Sequence, residues 1–224
     1  MPDYFSHLIC AEKIFERLDG VTKAKITSDT LYLLGAQGGD IFFAYNFKLS
    51  RSNIGRIMHV TDVKELFAKL SEGNPSFAAG FATHYALDCT LHPVVYAFEV
   101  NHSSPFAHQK FESDMGLFIS KFFQIRRRIL PRDKILACTG QVYDSIKRIE
   151  PSVTVTGVER CLKRHFDYTR YLYRTKRQSY KSSYDFTSLT GAIEEAIDLG
   201  VKAVKCVLSQ HIDGAIFEKS FLQH

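Results

Sequence analysis

The sequence has no tryptophan, only three methionines and six prolines, and its five cysteines include no CxxC pair. An odd number of cysteines in a chain long enough to bury a core argues against a disulfide framework, so we expect reduced thiols and a cytoplasmic location. No apolar run approaches the roughly 18 residues of a membrane-spanning helix. The first ten residues, MPDYFSHLIC, lack the basic and apolar regions of a signal peptide, and we expect none. The remaining possibility is an ordinary globular protein, and we expect the chain to form one domain over residues 1–224.

The hydrophobic periodicity is helical along most of the chain, which predicts an all-α, compact multi-helix bundle of about eight helices. We expect an interruption at Pro93, because proline cannot continue the hydrogen-bonding ladder of a helix. The best strand candidate, residues 152–156, is too short to change this prediction. The expected helices cover residues 4–18, 76–100 and 106–129, with others beginning after Thr61, at Pro131, at Pro151, and at Thr187 or Ser188.

Residues 80–93, GFATHYALDCTLHP, carry the strongest chemical signal. His84, Asp88 and His92 follow one another at intervals of four, which places the three side chains on one face of a helix. Their neighbours are apolar or aromatic, so this column should be buried, and buried polar groups without partners destabilise a fold. A cation such as zinc would satisfy two imidazoles and a carboxylate. The alternative is a core histidine bonded to a carboxylate, beside an incidental second histidine.

Further polar residues beside apolar neighbours occur in the first half of the chain. Each has an ordinary structural explanation by itself. With the column they amount to five histidines and three carboxylates, a coincidence that favours a metal site. These additional candidates are His7 on the first expected helix, Asp40 at the end of the glycine-rich loop GAQGGD, His59, and the pair His108 and Glu112, again four residues apart.

The order and types of these residues resemble the zinc-dependent phospholipase C family, which shares its fold and a three-zinc site with single-strand-specific zinc nucleases. The resemblance covers roughly residues 1–115. It consists of an N-terminal His, a GxQGxD loop, a His about twenty residues later, an HYxLDxxxHP segment and an HxxxE pair. The second half matches only as helical sequence. The resemblance implies an all-α phosphodiester hydrolase that binds two or three zinc ions (Zn²⁺).

Carried over position by position, the family pattern implies which side chains bind each ion. Asp88 is implied to bridge the first and third ions. Asp40 is implied to have a second, catalytic role as general base toward the attacking water. The implied ligands are Asp40, His59, His84 and Asp88 for the first zinc, His92, His108 and Glu112 for the second, and His7 with Asp88 for the third.

The N-terminus is a further candidate ligand of the third ion. The secreted relatives use their mature first residue as a ligand, and initiator methionine is usually removed before a small residue such as Pro2. Removal would leave the Pro2 ring nitrogen as a secondary amine, and a nearby zinc would lower an α-amino pKa from its ordinary value of about 8. The resemblance therefore implies Pro2 as a ligand. The alternative is that Pro2 only begins the first helix.

These ligands suit hydrolysis of a phosphodiester, such as a phospholipid or its soluble glycerophosphodiester relative. Zinc favours His nitrogen and carboxylate oxygen, and a catalytic zinc keeps one position for water. Two ions about 3.5–4 Å apart clamp the attacking and leaving oxygens and supply a nucleophile at neutral pH, so no Cys or Ser nucleophile is required.

Charge is distributed unevenly along the chain. Residues 121–181, which we call the basic segment, contain 16 Lys and Arg against five Asp and Glu, whereas the rest of the chain contains 13 against 19. The segment includes the run Arg126, Arg127 and Arg128, and several tyrosines lie among its later cations. It could meet an anionic membrane or nucleic acid. The alternative is a solvated helix face with half-buried tyrosines.

Two other functions fit the same residues. A single-strand nuclease would use the same metals, with bases stacked on the tyrosines of the basic segment. A non-catalytic module would hold structural metals and bind membrane or RNA. A structural zinc needs only four closed ligands, whereas eight candidate side chains suit a multinuclear site with open positions, which favours the hydrolase.

Overall fold

The computed structural model describes residues 3–45, 53–101, 107–175 and 184–221 of the chain. Over these ranges the protein is all-α, as predicted, and has no strand. All five cysteines are buried and unbridged. No helix within the same ranges is both long enough and apolar enough to cross a membrane. Pro2 lies outside the described residues, so its role as a ligand stays a prediction.

The described residues form α-helices of widely different length together with two short 3₁₀ helices at residues 38–44 and 186–189. The α-helices are α1 (Tyr4–Arg17), α2 (Gly20–Ala24), α3 (Asp29–Gly35), α4 (Ile54–Val60), α5 (Val63–Ser71), α6 (Pro75–Val100), α7 (Ala107–Phe122), α8 (Arg132–Ala137), α9 (Thr139–Lys147), α10 (Val155–Thr175) and α11 (Thr190–Leu208).

Helix α6 is the centre of the fold, and it packs mainly against α11 and α3. It is buried on almost its whole circumference along most of its length, as expected of a helix that is apolar on every side. Asn74 caps its start by accepting hydrogen bonds from the amides of Ser76 and Phe77. Gly80 lets α3 approach closely, because a Cβ there would overlap the carbonyl oxygen of Tyr32.

The interruption expected at Pro93 is wrong, because α6 continues through it to Val100. Pro93 lies on the exposed side of the helix, whereas His92 and Val95 on either side of it are buried. Packing of these buried neighbours therefore outweighs the lost hydrogen bond of the proline. As a consequence, His92 stays in register with His84 and Asp88 along one helix face.

Other helix boundaries also differ from the sequence-based expectation of about eight helices. Short helices such as α2, α3 and α4 raise the number, and each begins at a side-chain cap, namely Asp19, Ser28 or Asn53. Helix α7 ends at Phe122 rather than near residue 129, because Gln124 takes a left-handed φ of 55°. The helix expected at Pro151 begins at Val155 instead.

The elements that surround α6 bring distant parts of the chain to its middle. Helix α1 packs against α6, α7 and α11, and the 3₁₀ helix at residues 38–44 packs against α4, α6 and α10. The segment after α11 returns across α6, where the Tyr85 hydroxyl donates to the carbonyl of Ile216 at 3.2 Å. The Phe217 ring then packs on Phe67 and Tyr85. Together these elements surround the middle of α6.

Candidate metal centre

Helix α6 presents His84, Asp88 and His92 in a column with no exposed surface. Three other elements aim side chains at the same point. They are His7 from α1, Asp40 from the 3₁₀ helix at residues 38–44, and His59 from α4.

Four donor atoms of this cluster are spaced like the corners of a cation site. The Nε2 atom of His59 lies 3.5 Å from Nε2 of His84, 3.4 Å from Asp40 Oδ1 and 3.6 Å from Asp88 Oδ2. The His84 Nε2 atom lies 3.9 Å from Asp40 Oδ1 and 3.2 Å from Asp88 Oδ2. Two donors bound to one tetrahedral zinc ion lie about 3.3–3.4 Å apart, because each zinc–ligand bond is about 2.0–2.1 Å long. The arrangement therefore fits zinc.

Asp88 faces different imidazoles with its two oxygens. While Oδ2 faces His59 and His84, Oδ1 lies 3.4 Å from Nε2 of His7 and 3.7 Å from Nε2 of His92. A carboxylate placed in this way can bridge two cations. His7 also approaches Asp40, with Nε2 3.9 Å from Oδ2, and donor atoms of His7, Asp40 and His84 lie within 4.8 Å of one another.

Many donor atoms of this cluster have no hydrogen-bond partner among the described residues. Buried polar atoms normally have hydrogen-bond partners, and an unpaired one is destabilising. Bound cations would satisfy the carboxylate oxygens and the Nε2 atoms among them, so the donor set fits the metal that its chemistry suggests. Among the described residues, the buried atoms of the cluster that make no hydrogen bond are both oxygens of Asp88, both ring nitrogens of His7, Asp40 Oδ1, His84 Nδ1 and His92 Nε2.

Backbone carbonyls orient two of the imidazoles. Nδ1 of His59 donates to the carbonyl oxygen of Gly55 at 2.7 Å, and Nδ1 of His92 donates to that of Phe221 at 2.8 Å. A carbonyl oxygen only accepts, so Nδ1 carries a proton and Nε2 is the nitrogen directed at the cluster. This is the support that metal-binding histidines commonly have.

The glycine-rich loop holds its shape against His84. Gly38 has a left-handed φ of 52°, which side chains other than glycine rarely adopt. A Cβ at this position would also overlap the His84 imidazole. The loop therefore needs glycine here both for its conformation and for its contact with a candidate ligand.

Burial shifts the ionisation of three imidazoles of the cluster toward the neutral form that binds metal. It keeps three imidazoles neutral by lowering the pKa of His92 to about 2 and those of His7 and His84 well below the usual value. Burial also acts to lower the pKa of His59, but the Asp40 and Asp88 carboxylates outweigh it and raise that pKa to about 10. Burial raises the pKa of Asp88 to about 7. A cation would replace the proton that these carboxylates otherwise attract.

His108 and Glu112 are brought to each other but not into this cluster. The Nε2 atom of His108 lies 2.9 Å from Glu112 Oε1, and its Nδ1 lies 2.9 Å from Glu99 Oε2. The Tyr96 ring lies between the α6 column and the His108–Glu112 pair. Its centroid is 5.5 Å from that of the His92 ring and 6.0 Å from that of the His108 ring. In this arrangement the predicted second set, His92 with His108 and Glu112, is not assembled around one point.

A cavity of about 270 Å³ opens beside the cluster, with Asp40, His108 and Glu112 in its wall. Helix α10 also lines it, and two of its lining residues, His165 and Thr169, were not selected by the sequence analysis. A signal for them existed, because both are polar, lie four residues apart, and follow the buried residues Cys161 and Leu162 on the same helix. The cavity is the approach by which a substrate would reach Asp40.

Comparison with known families gives one match. A family model described as zinc dependent phospholipase C matches residues 6–206 of the chain. It covers the second half as well as the first, where the sequence motifs lie, and it stops short of the segment that carries Phe221. Searches of curated proteins and of solved structures found no match.

Proposed function

Because the chain belongs to the zinc-dependent phospholipase C family, we propose that it hydrolyses a phospholipid or a related glycerophosphodiester at the cluster around Asp88. Family membership supports a zinc-dependent hydrolase that acts on a phospholipid-type substrate. The choice of bond and substrate, and the assignment of ligands below, are our proposal.

The observation that carries the proposal is the spacing of the donors in the first cluster. Neutral imidazoles and carboxylates at these distances would hold zinc. The proposed ligands are Asp40, His59, His84 and Asp88 for the first ion, His92, His108 and Glu112 for the second, and His7, Asp88 and Pro2 for the third.

Zinc, when bound, polarises a phosphoryl oxygen and provides a nucleophilic water at neutral pH. The protein side chains orient the substrate and handle protons around that chemistry. Asp40 combines a place in the donor cluster with a place in the cavity wall, so its carboxylate is proposed to take the proton of the attacking water. Asp88 has no exposed surface and contributes charge rather than proton transfer.

The experiment combines metal analysis with a substrate panel. We expect elemental analysis of reconstituted protein to give two or three zinc ions per chain. We also expect hydrolysis of phospholipid or glycerophosphodiester that chelation abolishes and added zinc restores. Protein that binds no transition metal after reconstitution would overturn the proposal.

A single-strand nuclease is the second candidate, and one observation favours it. Tyr168 and Tyr171 on α10 are 58% and 62% exposed, and they stand among the cations of the basic segment, where bases could stack. Single-stranded DNA and RNA therefore belong in the panel. Zinc-dependent cleavage of these polymers without cleavage of any lipid would favour the nuclease.

A further inference from the structure

Helix α10 places two polar side chains in the cavity beside the metal cluster. His165 and Thr169 line this cavity together with Asp40 and Glu112. Thr169 is only 3% exposed. Among the described residues, neither Thr169 Oγ1 nor the buried Nε2 of His165 has a hydrogen-bond partner. A helical threonine commonly bonds the carbonyl four residues earlier, so this hydroxyl is directed elsewhere.

Two unpaired groups side by side imply a ligand. A buried donor or acceptor that makes no hydrogen bond destabilises a fold, and it is seldom kept without a use. In this cavity the two atoms lie next to residues proposed to hold zinc and to take a proton. A group of the substrate that pairs with them would regain the lost hydrogen bonds on binding.

The chemistry of the wall indicates what that group is. Burial lowers the pKa of His165 to about 4, so its imidazole is neutral at physiological pH, as the threonine hydroxyl is. Neutral groups that both donate and accept are complementary to alcohols. Gln37, Gln109 and Ser113 add more neutral polar groups to the same cavity.

The charged residues at this end of the cavity have other roles. Asp3 accepts hydrogen bonds from the amide and hydroxyl of Ser6, both at 2.9 Å, as the cap of α1. Arg127 lies over the Phe5 ring, with its guanidinium carbon 5.0 Å from the ring centroid. A cavity of about 270 Å³, set against about 30 Å³ for one molecule of liquid water, has room for a small polyol and its phosphate.

We propose that His165 and Thr169 bind hydroxyl groups of the alcohol esterified to the scissile phosphate, so that the preferred substrates carry a polyol head group. This inference rests on the proposed hydrolysis of a phospholipid-type diester. It adds a substrate class and a binding role for α10 to it.

The first test measures binding rather than turnover. Zinc-reconstituted protein is titrated calorimetrically with glycerol 1-phosphate and with propyl phosphate, which lacks the two hydroxyls. We expect glycerol 1-phosphate to bind about tenfold more tightly, the effect of one or two hydrogen bonds. Thr169→Val should remove most of this preference without weakening propyl phosphate, whereas Thr169→Ser, which keeps the hydroxyl, should retain it. His165→Leu should act like Thr169→Val.

Thr156→Val is the matched control, because Thr156 is exposed near the start of the same helix and does not line the cavity. Its binding of both phosphates should equal that of the wild type. Circular dichroism of each variant checks that α10 is intact. Equal affinity of the wild-type protein for both phosphates would overturn the inference, as would an equal loss for both in Thr169→Val.

The second test uses turnover of phosphatidylglycerol and phosphatidylpropanol, which have the same charge and can carry the same acyl chains. We expect kcat/KM to be higher for phosphatidylglycerol in the wild type and about equal for the two lipids in Thr169→Val. Selective binding of glycerol 1-phosphate without hydrolysis of any lipid or glycerophosphodiester would leave the hydroxyl site standing and reject the proposed function. Hydrolysis of both lipids with equal kcat/KM would do the reverse.

Discussion

Helices α6 and α10 are both long, yet they place charged side chains in opposite environments. On α6 the polar column is buried, and several of its donor atoms lack hydrogen bonds among the described residues. On α10 the cations Arg160, Arg170 and Arg174 are exposed to solvent. A substitution in the α6 column therefore changes electrostatic interactions between buried groups. A substitution of an exposed cation on α10 changes only the electrostatic field in the surrounding water.

The run of three arginines at the start of the basic segment shows the same contrast on a smaller scale. Arg126 is exposed. Arg127 reaches the cavity and the Phe5 ring, and Nε of Arg128 donates to Glu12 Oε1 at 3.1 Å. Three neighbouring residues of one type thus have three different surroundings. The position of each arginine in the fold therefore decides which interactions it makes, and the number of cations in the sequence does not.

The largest expected effect is that of Asp88→Asn on α6. The substitution keeps the volume but removes the charge that faces four imidazoles, so we expect at least one zinc per chain to be lost. Activity should fall by more than about 100-fold, since changes even to residues that only support metal ligands cost about 10–100-fold. The fold should survive because the remaining donors are unchanged.

Asp144→Asn is the control, because Asp144 is an exposed carboxylate on α9. It should have wild-type zinc content and turnover. If Asp88→Asn behaved in the same way, Asp88 would only pack, and the contrast between α6 and α10 would lose its chemical basis.

Gly38→Ala should have the next largest effect. The new Cβ would require a strained left-handed backbone and would overlap His84, so we expect the free energy of unfolding to fall by about 1–3 kcal/mol. We also expect weaker zinc binding, measured by competition with a chelator.

The matched control is Gly140→Ala in α9, where a Cβ would meet nothing within 4 Å. Alanine stabilises an open helical position, so the free energy of unfolding should rise by about 0.5 kcal/mol. Equal effects of the two substitutions in denaturant titrations would show that the loop does not depend on glycine.

A smaller effect is expected when the exposed face of α10 loses two cations. Arg170 and Arg174 are four residues apart and share that face, so Arg170→Gln with Arg174→Gln should weaken binding to anionic vesicles by about tenfold. The salt dependence of binding should also flatten, while hydrolysis of a soluble diester stays the same.

Lys64→Gln with Lys202→Gln removes the same charge from exposed positions outside the basic segment. This control should bind vesicles like the wild type. Unaltered vesicle and single-strand binding by the arginine variant would leave α10 as an ordinary solvated face.

The smallest expected effect concerns the N-terminus. An uncleaved extension before Pro2 would turn its amine into an amide and remove that ligand from the third site. We expect a few-fold loss of activity and lower occupancy of one zinc, with the other ions retained. The same extension fused to the C-terminus controls for bulk. Unchanged zinc content with the N-terminal extension would show that the terminal amine is not a ligand.

The part of the site on α6 could be predicted because helix geometry is local. A spacing of four residues sets His84, Asp88 and His92 on one face, whatever the rest of the chain does. Their residue types and apolar neighbours made Asp40, His59 and His7 candidates, and the resemblance implied that they are ligands. The structure brings their donors to the same point. The assignment of ligands to ions stays a prediction.

The remaining parts depend on packing between helices, which spacing does not encode. Local rules placed a break at Pro93, but buried neighbours hold α6 together. The i, i+4 rule paired His108 with Glu112 correctly, yet it carries no information about their distance from His92 on another helix. His165 and Thr169 escaped notice because a histidine and a threonine on a basic helix are common. Only the cavity that they line identifies them as candidate binding residues.

The hydrogen bond from His92 to the carbonyl of Phe221 has a consequence for how the protein is made. Translation is vectorial, and His7 leaves the ribosome first whereas Phe221 follows more than 200 residues later. Both meet the α6 column, so the nascent chain can form α6 and fix its column long before the site is enclosed. The contact that orients His92 therefore forms after the column itself, and a chain stalled before Phe221 would lack this orienting carbonyl.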